Sequence, residues 1–355
     1  MSDLIREQVA LAPRTTIGLG GPARYLADCR TVDEIRAALV WATERDLPVH
    51  LLGGGSNTVF PDSGYPGLVL HLATSGIAFV EDGDAVRVTA AAGEDWDGLV
   101  ATTAARGLGG VECLSGIPGQ VGATPIQNVG AYGQEVGDAV AEVRVLDRQT
   151  LEVISFPRDR CGFGYRQSRF RGTDAGRYLI LEVVFSLRPE ARPVIRYPEL
   201  QRRLEALNGT ALLESGASAL AAVRQAVLDL RRGKSMVVDP NDPDSRSVGS
   251  FFVNPVLTES ELAALRTRLD DPTALPGYAV AGGTKVPAAW LIEQAGFPRG
   301  LRRGGAGISA SHALALVNRG GTSRELLALA AEIQAGVERR FGVRLATEPV
   351  IVGGG

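Results

Sequence analysis

Cysteine, histidine and long apolar runs are scarce in this 355-residue chain, and each scarcity removes a class of function. The three cysteines, Cys29, Cys113 and Cys161, stand far apart without CxxC spacing, and the three histidines, His50, His71 and His312, are equally scattered. Neither a disulfide framework nor a zinc site is expected, and no metal is assigned. No apolar stretch is long enough to cross a bilayer, and Met1–Glu7 lacks a basic region leading into an apolar run. A cytoplasmic protein without a membrane partner is expected. Lysine and arginine form no block and the net charge is −3 at pH 7, so nothing points to a nucleic-acid partner. An anionic ligand would have to be met by a local pocket. Internal repeats and low-complexity tracts are also absent.

What is present is enough chain, 45% of it hydrophobic, for two or three domains. The stretch Leu114–Gly133 stands out because it alternates glycine or proline with small residues and carries no charge. Glycine allows close backbone approach, while Pro118 and Pro125 fix turns. A buried crossover loop is one reading; a nest of main-chain N–H groups cradling phosphate or ring oxygens is the other, favoured by the Gln127 and Asn128 amides. The segment Gly53–Asn57 follows directly on an expected strand, Pro48–Leu52, which is where backbone amides meet a pyrophosphate. On its own this GGGSN segment is equally well a plain turn, since it lacks the P-loop lysine and the GxGxxG spacing.

Around these loops the pattern predicts regular elements. Capping boxes at Thr31, Thr258 and Thr322 open helices over Val32 to Arg45, Glu259 to Leu269 and Ser323 to Phe341. Apolar periodicity predicts helices over Asp95 to Arg106 and Ala217 to Arg232, and Pro287 suits the start of another. Strands are expected at Leu68–Leu72, Ala85–Ala90, Ala141–Asp147, Leu151–Phe156, Leu179–Leu187, Ala313–Asn318 and Val343–Val352. Pro13–Ala23 reads as an extended arm, Val194–Tyr197 as extended, Asn208–Ala211 as an exposed connector, and Asp239–Ser245 as a domain boundary.

Several polar residues sit in settings that ask for a partner. Arg166 lies among aromatic and glycine residues in Cys161–Ser168, where an ion pair and a ligand contact are both open. Arg231, Arg232 and Lys234 close a helix, suiting either its dipole or the binding of a diphosphate or nicotinamide phosphate. Strand alternation would aim Ser250, Phe252 and Asn254 to one side, and a serine there could simply bond backbone. Glu348 inside an apolar strand needs a partner, for which a salt bridge suffices.

Taken together, GGGSN at 53–57, SGIPGQVGATPIQNVGAYG at 115–133, CGFGYRQS at 161–168, GSFFVNP at 249–255 and the C-terminal glutamate resemble the UDP-N-acetylenolpyruvoylglucosamine reductase family over nearly the whole chain. The glycine motifs alone are similar to the wider FAD-binding superfamily of the vanillyl-alcohol-oxidase type; YRxS followed by GSFFxNP narrows the likeness to the reductases. Tyr197 and the extra length around 198–216 resemble the type I subgroup, with its mobile tyrosine loop.

The resemblance implies an α+β fold in three lobes: residues 1–74 with 342–355, residues 75–238, and a substrate lobe at 239–341. It implies an NADPH-driven, FAD-dependent oxidoreductase that reduces UDP-N-acetylglucosamine enolpyruvate to UDP-N-acetylmuramate, a peptidoglycan precursor. Monomeric action is expected. Arg166, Ser250 and Glu348 are implied as catalytic, with Ser250 donating the proton and the other two stabilising the enolate-like intermediate. FAD would contact Gly53, Gly54, Gly55, Ser56 and Asn57; Ser115, Gly116, Ile117, Pro118, Gly119, Gly122, Ala123 and Thr124; Gln127, Asn128, Gly130 and Ala131; and Ile180. Tyr197, Lys234, Asn254 and His312 would meet the UDP-sugar.

The chain departs from the family pattern in having Thr347-Glu348-Pro349 for Pro-Glu-Val, Val253 for a common lysine, and Thr124 for a frequent serine. Two alternatives stay open. One is an FAD-dependent oxidase of the superfamily, with Cys113 beside the loop as a possible tether. The other is a non-catalytic flavin or UDP-sugar binding protein, against which the joint presence of Arg166, Ser250 and Glu348 argues.

Overall fold

The computed structural model describes residues 4–208 and 214–353. The chain forms two compact units: residues 1–9, 23–54 and 66–237 in one, and 10–22, 55–65 and 238–355 in the other.

In the first unit, strands Ile5–Ala10, Pro22–Cys29, Tyr65–Leu72 and Val49–Leu52 lie in that spatial order. The last two pair in parallel, Val49 opposite Leu68, with helix Val32–Thr43 preceding Val49–Leu52 in the chain. A second sheet is antiparallel, ordered Val153–Pro157, Val140–Asp147, Tyr178–Leu187, Ala85–Ala91 and Ile77–Asp82. Its middle strand, Tyr178–Leu187, is buried on both faces and so reads as a near-continuous apolar run. A large hydrophobic cluster spans this unit, from Ile35 and Leu39 on the first helix to Val143, Val183 and Phe185 on the second sheet. Helices Trp96–Ala105 and Ala217–Arg232 start and end close to their expected bounds, and the Asp95 carboxylate caps the first by accepting from Gly98 N–H.

The second unit has a sheet ordered Ser247–Ser250, Ala315–Asn318, Ala306–Ile308 and Arg302–Arg303, with helices Glu259–Arg266, Ala288–Gln294 and Ser323–Phe341. Its core joins Phe251, Phe252, Leu291, Leu316, Ile333 and Val337. All three expected capping boxes form: Thr31, Thr258 and Thr322 each accept the N–H of the glutamate three residues on, and each glutamate reaches back. Thr322→Ala removes one such pair and is expected to cost about 1 kcal/mol. A shifted denaturant midpoint with an unchanged slope checks it.

Three expectations are corrected. A helix, Pro198–Asn208, stands where only loop length was read, because Leu200 and Leu204 bury against Val223, Ala226 and Val227. The arm before Ala23 contains a short 3-10 turn at Ala12–Arg14. The expected strand Val343–Val352 shrinks to Val350–Ile351, which pairs in parallel with Thr58–Val59; Pro349, lacking an N–H, interrupts it. Residues 209–211 of the expected connector lie outside the described residues.

Candidate active site

In the first unit, Gly53 and Gly54 meet the longer glycine stretch. A Cβ on Gly54 would lie 2.8 Å from Gly119 Cα, and one on Gly53 would lie 3.3 Å from Gln120 Oε1. The backbone around 119 is fixed from its other side, where Trp96 N–H bonds Gly119 O at 3.0 Å and Val121 N–H bonds Glu94 O at 2.9 Å. Gly54 is exposed, and the N–H groups of Gly54 and Gly119 have no protein acceptor among the described residues. Adjacent, uncommitted main-chain donors of this kind suit phosphate oxygens. Gln120 was missed by sequence reading. Its Nε2 donates to Leu72 O at 3.0 Å, leaving Oε1 buried without a partner. A buried orphan acceptor calls for a ligand donor, and a flavin dinucleotide has hydroxyl and amine donors to offer.

The rest of the loop is anchored by the protein. Ser115 is buried and its hydroxyl donates to Glu112 O at 2.6 Å; the Thr124 hydroxyl donates to Val121 O at 2.8 Å. Gly122 packs on Ala92, Ala123 is exposed, and Ile117 and Pro118 are half-buried. Ile180 is part of the hydrophobic core.

Gly116 N–H donates to Asp97 Oδ1 at 2.6 Å, and Asp97 in turn accepts two bonds from Arg224 at 2.5 and 2.7 Å. Burial alone would raise the Asp97 carboxyl; the Arg224 and Gly116 hydrogen bonds and the charges of Arg224 and Arg231 outweigh it and hold it below the ordinary aspartate value. A depressed folded pKa means this anchor contributes fully above the ordinary value and fades as pH falls through the folded one. Asp97→Asn is therefore expected to cost about 2 kcal/mol near neutral pH by removing charge-assisted bonds. It should also flatten the acid side of the stability profile, measured as Tm of the holoprotein from about pH 3 to 7.

The segment Cys161–Ser168 folds back onto residues 126–137. Gly164 and Gln167 exchange both backbone bonds, so Tyr165 and Arg166 form the tip of a tight hairpin, with Arg166 at φ +52°. Arg166 Nη2 donates to Gly130 O at 2.8 Å, and Ser168 Oγ donates to Ile126 O at 2.5 Å. Arg171 Nη1 donates to Gln127 Oε1 at 3.3 Å. Asn128, itself at φ +46°, donates to Gly164 O and Glu135 Oε2 and accepts from Gly137 N–H. Its amide thus works as an internal strut. Ala131 pairs with Gln134 in the short hairpin that follows.

Tyr197 and Lys234 come together around Tyr132. The Tyr197 and Tyr132 rings meet edge-on at 5.7 Å, and Lys234 Nζ stands 5.7 Å from the Tyr132 centroid while pairing with Glu199 at 2.7 Å. Burial pushes the Tyr132 hydroxyl up to about 12, so it stays a neutral donor.

In the second unit, Ser250 ends a strand opposite Ala315, and the register shifts between Ser247 and Ser250. Gly249 sits in that irregularity at φ +74°, a conformation that favours glycine at a bulge. The bulge breaks the expected alternation: Phe251 and Phe252 are both buried, ring against ring, while Ser250 and Asn254 keep partial exposure. Ser250 Oγ has no protein partner among the described residues.

Glu348 lies alongside this serine. Its N–H donates to Phe251 O at 2.9 Å, and Thr347 bridges Phe252. Asn57 braces the same residue, donating through Nδ2 to Glu348 O at 3.4 Å, and Asn57 O accepts from Val350 N–H. Gly55 and Ser56 precede it, Gly55 O accepting from Thr16 N–H. Asn254 Oδ1 accepts from Ala288 N–H at 2.8 Å at the head of helix Ala288–Gln294. His312 occupies the loop leading into the strand opposite Ser250, its carbonyl accepting from Ala315 N–H.

Comparison with known proteins gives this arrangement a family. Residues 240–352 match the profile of the UDP-N-acetylenolpyruvoylglucosamine reductase C-terminal domain, and residues 23–154 match an FAD binding domain. The UDP-N-acetylenolpyruvoylglucosamine reductase of Thermobifida fusca is 47% identical over 99% of both chains. The chain belongs to the UDP-N-acetylenolpyruvoylglucosamine reductase family. The Streptomyces avermitilis reductase is 48% identical over 97% of this chain and 93% of its own. The crystal structure of the Thermus caldophilus UDP-N-acetylenolpyruvylglucosamine reductase is similar with a TM-score of 0.66 at 26% identity, covering 98% of this chain and 99% of that one.

As a member of this reductase family the chain is an α+β, FAD-dependent oxidoreductase. Cys113 makes a poor flavin tether: it is fully buried, and burial raises its thiol pKa. No helix among the described residues is long and apolar enough to cross a membrane.

Proposed function

We propose that this chain reduces UDP-N-acetylglucosamine enolpyruvate to UDP-N-acetylmuramate with NADPH as reductant, supplying a peptidoglycan precursor in the cytoplasm as a monomer. The observation that carries this reading is the backbone bond from Glu348 N–H to the Phe251 carbonyl, one residue from a Ser250 hydroxyl that has no protein partner among the described residues. Full-length identity to reductases so named supports it. FAD, when bound, carries the hydride from NADPH to the enolpyruvyl carbon.

The protein groups handle the charge that hydride addition leaves behind. Negative charge builds on the adjacent carbon and its carboxylate, and the carbon then takes a proton. Ser250 is the proposed donor; a serine is a weak acid in water, so the carbanion must be basic enough to draw the proton. Arg166 is the proposed cation for the carboxylate, since a guanidinium neutralises charge that rises in the transition state. Glu348 would have to be protonated or paired, because a bare carboxylate beside a developing anion opposes reaction.

In this reading Gly54, Gly119 and the Gln120 amide hold the cofactor, and Tyr197, Lys234, Asn254 and His312 serve the UDP-sugar. Residues 1–74 with 342–355, 75–238 and 239–341 would be the functional lobes. To test it, NADPH-reduced holoprotein is mixed anaerobically with UDP-N-acetylglucosamine enolpyruvate. Rapid flavin reoxidation with formation of UDP-N-acetylmuramate is expected; reoxidation only when oxygen is admitted would replace this reading with an oxidase.

A further inference from the structure

Lys234 is unusual in this chain before its position is considered. Of 37 basic residues only Lys234 and Lys285 are lysine. Nearby ion pairs use arginine: Arg203 with Asp229 at 2.5 Å and Arg224 with Asp97 at 2.5 Å. Arginine offers a rigid fork that locks onto one carboxylate, whereas lysine is a mobile point charge that can exchange acceptors.

The acceptor it holds is delivered by a fixed element. Glu199 lies in the first turn of helix Pro198–Asn208, where a negative charge suits the dipole. Leu200 and Leu204 dock that helix on Val223, Ala226 and Val227, and the Arg203–Asp229 pair ties it further. Glu199 Oε2 therefore reaches Lys234 Nζ at 2.7 Å from an anchored base, two residues after Tyr197. The two side chains are 34% and 33% exposed, so a solvent-borne anion can reach the ammonium. Pairs so exposed hold their partners weakly.

We propose that Glu199 is the resident counterion of Lys234 and sets its selectivity, admitting only a ligand whose phosphate charge outcompetes a carboxylate, such as a nucleoside diphosphate. This rests on the assignment of Lys234 to the UDP-sugar. The carboxylate keeps the lysine charged, extended and paired until the ligand arrives, and the diphosphate then takes its place.

The test measures UDP affinity of the FAD-loaded protein by calorimetry for wild type, Glu199→Gln, Lys234→Gln and the double variant, with Tm confirming that each is folded. Removing the competitor in Glu199→Gln should tighten UDP about three- to fivefold, the upper scale of a partly exposed ion pair. Lys234→Gln alone should weaken UDP, and in its background the Glu199→Gln gain should fall below about twofold. Unchanged or weaker binding in Glu199→Gln, with Lys234→Gln still weakening UDP, overturns the counterion role and leaves the lysine assignment standing. An equal gain in both backgrounds overturns it too, making Glu199 a repulsive charge independent of the lysine. No effect of Lys234→Gln overturns both the proposal and the assignment beneath it.

Discussion

Ser250→Ala is expected to slow flavin reoxidation by the enolpyruvyl substrate about 10²–10⁴-fold, the usual contribution of a positioned proton donor. FAD content and UDP affinity should stay close to wild type. The separation is expected because the strand holding Ser250 is fixed by backbone pairing to Ala315 and by the neighbouring Phe251–Phe252 contact, neither of which uses the hydroxyl. A serine kept only for structure would bond a backbone group, and this one has no protein partner among the described residues. Ser250→Cys supplies the control, since a thiol of ordinary pKa about 8.5 is a stronger acid than an alcohol. It should recover part of the lost rate. Stopped-flow absorbance on anaerobically reduced protein reads both variants, and an undiminished rate in Ser250→Ala would remove the serine from the proton path.

The features legible in the sequence are those whose cause is local. Each capping box closes within four residues, so Thr31, Thr258 and Thr322 mark helix starts without tertiary information. Helix Ala217–Arg232 was readable because its buried face, Leu220, Val223 and Val227, repeats at helical spacing. The glycine stretches were readable as places of close approach, which the Gly54–Gly119 packing bears out.

What escaped depends on partners distant in the chain. Helix Pro198–Asn208 follows an extended arm and, among the described side chains, has only Leu200 and Leu204 buried; its docking surface lies on another helix. The Ser250 bulge arises from a register shift against Ala315, invisible in a pattern of alternating side chains. The bracing role of Asn128 was invisible for the same reason: its side chain bonds Gly164, Glu135 and Gly137, up to 36 residues away. Gln120 drew no notice because an amide beside glycines is ordinary; only its buried, unpaired oxygen distinguishes it.

Gly54→Ala should empty the cofactor site while leaving the sequence motif almost unchanged. The added methyl would sit 2.8 Å from Gly119 Cα and 3.2 Å from its carbonyl carbon, and both are backbone atoms that no rotamer change can move. Gly119 cannot retreat cheaply either, since its carbonyl accepts from Trp96 N–H and Val121 next to it bonds Glu94. Overpacking against a held backbone costs about 1–3 kcal/mol. The two loops must separate, and if that cost falls on the FAD-bound geometry, flavin binds about 10–100-fold more weakly. Because alanine keeps the residue 54 N–H, the loss would report loop spacing rather than a missing donor. Gly233→Ala is the matched control: its φ of −60° suits any residue, and the nearest atom to an added Cβ is 3.5 Å away. FAD occupancy after purification and the Kd on reconstitution, followed by flavin fluorescence, should fall and rise respectively in Gly54→Ala alone. Full occupancy in Gly54→Ala would mean that the Gly54–Gly119 contact lies outside the flavin cradle.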